Sequence, residues 1–151
     1  TKIVGLSMHV IERRLEHLAY LMIVQNRGTS ASYFWAKRKV GYKVLKSGFD
    51  MGVLIKKGDD IEFFHQSLQG YFAIKPLGQA LTQINAIERL TKNPVGLIRQ
   101  ISDLGENASP AVPGLSRAVK HNDYQVRLTA IIALVHIQER WWDKESKRGR
   151  L

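Results

Sequence analysis

A chain of 151 residues suffices for one domain or for two small units sharing a boundary. An apolar content of 44% with mixed charges argues for a packed core over a disordered chain. There is no cysteine, which excludes disulfides and thiolate metal sites, and the formal charge of +10 favours acidic partners: nucleic acid, anionic lipid or an acidic protein face.

The chain opens at Thr1 with no initiator Met, so it is expected to be a piece of something longer. Nothing at its start reads as a secretion signal. The longest apolar runs, such as Ile131–Val135, are too short to cross a bilayer, so no membrane is expected and the cytoplasm is the expected compartment. Ile11, Leu15, Leu18 and Met22 recur at the spacing of one helix face, and Asn26-Arg27-Gly28 supplies a stop. Ser30 or Ser32 is placed to cap a second helical stretch that runs to about Ser47 and ends at Gly48, with Gly41 positioned to split it in two.

After Gly52 the pattern changes. Val53-Leu54-Ile55 and Ile61-Glu62-Phe63-Phe64 flank the polar run 56–60, which predicts a β-hairpin with Leu54, Ile61 and Phe63 inside. Helix, helix and a two-stranded wing is the order of a winged helix. A helix returns from Ser67, with Leu68, Tyr71 and Phe72 on one side, until Pro76 ends or kinks it.

The remainder is helical in signal. Asn93-Pro94 reads as a cap followed by a first-turn proline; Gly105 and Asn107 close that helix, Pro110 and Pro113 open another, and Asn122-Asp123 begins a third. Ile98, Ile101 and Leu104 recur as Leu128, Ile131 and Leu134, a shift of about 30 residues of the kind found in α-solenoids. In the last helix Val126, Leu128, Ile131, Ile132, Leu134, Val135 and Ile137 cover more than one face, so an exposed apolar strip is expected there.

The stretch from Asn122 through Val126-Arg127 to Ala133-Leu134 resembles a HEAT repeat of the phycobilisome-lyase-like kind, and Ala111-Val112-Pro113-Gly114-Leu115 resembles the start of such a repeat's second helix. That resemblance implies close antiparallel helices, with Asp123 and Arg127 capping the turn. The segment Asp60-Ile61-Glu62-Phe63-Phe64-His65-Gln66-Ser67-Leu68-Gln69-Gly70-Tyr71-Phe72-Ala73 resembles the region that follows the NACHT ATPase core in NOD-like receptors and their bacterial relatives. Gly70 replaces the usual Glu of that pattern and Leu68 the usual Phe. Together the resemblances imply a mainly α chain: a winged-helix-like module with a small β-hairpin over 1–78, a connecting helix over 79–92, incomplete HEAT-type helical hairpins over 93–143 and a basic tail over 144–151.

The implied partners are an upstream NACHT ATPase core and either further HEAT repeats or a second copy packing along the 124–142 helix. ATP or ADP would belong to the larger protein, and His65 matches the histidine that contacts an ADP phosphate in some NOD-like receptors. No Gly-x-x-x-x-Gly-Lys-Ser/Thr loop occurs, so this chain is not expected to be an enzyme or to hold a cofactor by itself. His9 and His17, eight apart with Glu12 and Glu16 nearby, read as a solvated mixed-charge face rather than a metal site. A rival reading, from a different class, places nucleic acid on Lys37, Arg38, Lys39, Lys43 and Lys46, with Lys39, Lys43 and Lys46 on one helix face before the wing. Trp141 and Trp142 are candidates for partner binding, or for packing on a following helix.

Overall fold

The computed structural model describes residues 6–25, 27–83 and 86–149, the side chains of 140–146 excepted. The chain is mainly helical with one small three-stranded antiparallel sheet. It divides into two compact units, Thr1–Pro76 and Leu77–Leu151. Among the described residues no helix is long and apolar enough to cross a membrane.

In the first unit, α1 (Met8–Val24) starts where the Ser7 hydroxyl accepts a bond from the Val10 amide at 3.2 Å. Its expected stripe, Ile11, Leu15, Leu18 and Met22, is buried. The helix closes at Gln25, ahead of Gly28; Asn26 lies outside the described residues. Next comes β1 (Ser30–Ser32), a strand that the sequence does not announce, because three residues are too few to show alternation. Ser32 then caps α2 (Tyr33–Val40) by accepting from the Trp35 amide at 3.4 Å.

Gly41 takes φ 89°, a backbone that glycine adopts without a Cβ clash, and the helical stretch breaks there into α2 and α3 (Tyr42–Asp50). The expected stop at Gly48 is wrong: α3 runs through it. Gly48 is buried, and a Cβ there would stand 2.6 Å from Leu54 Cδ1, so its smallness serves a close approach within the core. Strands β2 (Leu54–Lys57) and β3 (Asp60–Phe63) pair with Leu54 opposite Phe63 and Lys57 opposite Asp60. The turn is therefore only Gly58-Asp59, and Lys56, Lys57 and Asp60 belong to the strands. β1 pairs with the other edge of β3, giving the order β1-β3-β2. Leu54, Ile61 and Phe63 are buried together with Leu15, Leu18, Trp35, Val44 and Leu45 in the core of this unit.

α4 (Gln66–Leu81) passes through Pro76 instead of ending there. A proline removes one backbone donor, so the helix crosses this position with one backbone hydrogen bond fewer. Near its start the Phe72 ring lies 5.8 Å from that of Phe63; near its end Gly78 and Leu81 are buried.

In the second unit the expected connecting helix over 79–92 is replaced by the end of α4 and a short α5 (Ala86–Leu90). α6 (Pro94–Ser102) is capped as expected, with Asn93 Oδ1 accepting from the Gly96 amide at 3.0 Å and Pro94 in the first turn. It stops before Gly105. A 3-10 helix, Gly105–Ala111, holds Pro110 inside it, and α7 (Val112–Ala118) follows. α8 (Tyr124–Lys147) continues through residues 144–147, so the expected tail begins later than the sequence suggests.

α8 packs on α6, the 3-10 helix and α7. The face it buries is Val126, Ala130, Ala133 and Ile137. The shift of 30 residues thus aligns buried Ile98 and Ile101 with exposed Leu128 and Ile131, and the two helices do not repeat each other face for face. On a helix apolar almost all round, spacing alone does not tell which stripe is inside; here the small residues decide, because they let the neighbouring helices come close.

Candidate functional site

His65 follows β3 and precedes the first turn of α4, with its backbone carbonyl accepting from the Leu68 amide at 3.0 Å. Its ring is exposed and acts as the helix cap: Nδ1 accepts from the Ser67 amide at 3.2 Å, and Ser67 Oγ lies 2.7 Å from the same nitrogen. A ring nitrogen that accepts an amide proton carries none of its own, so the neutral ring bears its proton on Nε2. Among the described residues Nε2 has no hydrogen-bond partner. The motif around His65 is tied down by Gln69, which is buried and donates through Nε2 to the Gly28 carbonyl at 2.7 Å. One exposed donor thus stands at the positive end of a helix of 16 residues.

The lysine face does not assemble as the sequence suggests. Lys37, Arg38 and Lys39 are exposed in the last turn of α2, whereas Lys43 and Lys46 stand on α3, beyond the break at Gly41. Lys39, Lys43 and Lys46 therefore share no helix face, and Lys46 pairs with Asp50 at 3.4 Å. Two further cations lie over rings, Arg27 over Trp35 and Lys56 over Tyr33, each 4.8 Å from the centroid.

The sequence reading also missed a basic cleft in which Arg13, Arg14 and His17 of α1 face Lys39 of α2. Its signal was available, since positions 10, 13, 14 and 17 share one helix face, but the pairing with α2 was not. On the same helix, burial pushes the Tyr20 phenol up from its ordinary value.

In the second unit Asp123 and Arg127 close the turn before α8. Asp123 Oδ1 accepts from the Gln125 amide at 2.7 Å, and Arg127 Nη1 donates to the carbonyls of His121 and Asn122, both at 2.9 Å. His121 Nδ1 accepts from the Asp123 amide at 2.9 Å, while Nε2 lies 2.5 Å from Glu88 Oε1. Among the described residues no group of three His, Cys, Asp or Glu could hold a metal ion. The side chains of Trp141 and Trp142 lie outside the described residues. Along α8, Leu128, Ile131, Ile132 and Val135 form an exposed apolar strip at the spacing of one helix face.

No family model, no curated protein and no solved structure matches this chain.

Proposed function

We propose that the chain is a regulatory and protein-interaction segment of a NACHT-type signalling ATPase, its first unit a winged helix that reads the nucleotide state and its second the opening of a HEAT-like array. The observation that carries this reading is the exposed Nε2–H of His65 at the start of α4, oriented by Ser67 and braced by Gln69 within the motif that resembles the family. An imidazole donor and a helix N-terminus together suit an anionic phosphate supplied by an adjoining ATPase core. The order helix, strand, helix, helix, strand, strand, with the first strand beside the third, supports the winged-helix reading. The capped turn at Asp123 and Arg127 supports the HEAT-like reading of the second unit.

On this reading the chain alone does not hydrolyse ATP; it holds or releases a neighbour's ADP. Measured in a protein that joins it to an ATPase core, His65→Ala speeds ADP release by about tenfold, the loss of one hydrogen bond of about 1.4 kcal/mol to a charged group. ADP retention unchanged by that substitution removes the assigned role of His65. The nucleic-acid reading has less support, because Gly41 divides its lysines and Asp50 engages Lys46.

A further inference from the structure

We propose that the cleft between α1 and α2 binds a small oligophosphate, an anion carrying at least two adjacent phosphates. The cavity measures about 520 Å³ and is lined by Val10, Arg13, Arg14, His17, Lys39 and Val40. That is within the roughly 300–1,000 Å³ of small-molecule sites. Three permanent cations and an imidazole converge there, and no carboxylate lines it. Glu12 and Glu16 leave α1 at positions that take no part in the lining.

The cleft is organised in advance. Arg14 Nη1 donates to the Val40 carbonyl at 3.3 Å, which fixes the guanidinium and satisfies a last-turn oxygen of α2 that would otherwise repel an anion. The other N–H groups of Arg14 are not used by that bond. Among the described residues neither Arg13 nor Lys39 forms an ion pair, so their charges are not spent on the protein itself. Lys37 and Arg38, exposed in the same turn as Lys39, add to the positive potential of this region without lining the cleft.

Two planar guanidinium groups and an ammonium match the oxygens of linked phosphates better than a single carboxylate does. A concave site with facing walls favours a discrete anion, whereas a nucleic-acid backbone needs a continuous stripe, and the break at Gly41 interrupts one.

The test is a titration of the whole chain with inorganic pyrophosphate, followed by calorimetry and proton–nitrogen correlation spectra. Pyrophosphate is expected to bind at least about tenfold more tightly than orthophosphate. Arg13→Gln combined with Lys39→Gln should weaken it about a hundredfold, tenfold or about 1.4 kcal/mol for each cation, with circular dichroism unchanged because both side chains are exposed. Adenosine diphosphate binding as tightly as pyrophosphate assigns recognition to the phosphates alone; tighter binding adds a base contact to the same site. Absence of binding, equal binding by the double variant, or loss of binding in His65→Ala overturns the proposal. So does a DNA duplex that binds with steep salt dependence and is not displaced by pyrophosphate, which would make the face a nucleic-acid surface.

Discussion

Ser47 lies on α3 and is only 5% exposed, and among the described residues its hydroxyl has no hydrogen-bond partner. A buried hydroxyl left unpaired costs about 1–3 kcal/mol, so removing it should help the fold rather than harm it. Ser47→Ala is expected to raise stability by about 1 kcal/mol in urea unfolding, helped by the better helix propensity of alanine. A loss of similar size would show that the hydroxyl makes a bond that stabilises α3. Gln69 is the opposite case: equally buried, but paired with the Gly28 carbonyl. Its place in the motif was legible in the sequence and its partner 41 residues away was not. The residues read best are the caps, Ser32, Asn93 and Asp123, because a cap bonds an amide two or three positions along the same chain. Arg27 over Trp35 and Arg13 beside Lys39 join positions on separate elements, and nothing local announces either pair.

Glycine and proline were the least reliable punctuation at the level of elements, because each has two uses. Gly41 breaks a helix through its backbone, whereas Gly48 continues one and admits Leu54. Pro94 opens α6, yet Pro76 sits inside α4 and Pro110 inside the 3-10 helix. The hairpin was legible because two apolar runs, Val53-Leu54-Ile55 and Ile61-Glu62-Phe63-Phe64, flank the polar run 56–60, and Leu54, Ile61 and Phe63 are buried; on the helix that follows, Leu68 and Phe72 are only half-buried. Gly114 on α7 shows the close-approach use again. A Cβ there would collide with the Leu81 Cβ and come within 3.2 Å of the Leu81 carbonyl oxygen. Gly114→Ala should therefore lower stability by about 1–3 kcal/mol, as overpacking does, despite alanine's helical preference. A stabilised variant would mean that α7 and the end of α4 are not packed this closely.

Across the whole chain, a charge of +10 opposes association while the strip on α8 favours it, and the balance between them is measurable. Leu128, Ile131, Ile132 and Val135 are 39%, 45%, 58% and 49% exposed, contiguous on one side of the helix. The opposite side, Val126, Ala130, Ala133 and Ile137, already packs on α6, the 3-10 helix and α7. The sequence made the surplus of apolar positions visible, but which stripe lies inside depends on the alanines fitting their neighbours. Under the proposed function, a following repeat would cover the exposed stripe in the larger protein, and the chain by itself is expected to cover it with another copy. Sedimentation at rising concentration should then show a growing average mass. Because apolar contact drives this association and like charge resists it, added salt should strengthen it by screening the repulsion. Ile132→Lys should return the chain to a monomer with little change in its melting temperature, since that side chain is more than half exposed. A monomer at every concentration, or association that salt dissolves, would place the contact elsewhere: the first means that the strip is stable in water, the second that opposite charges hold the copies together.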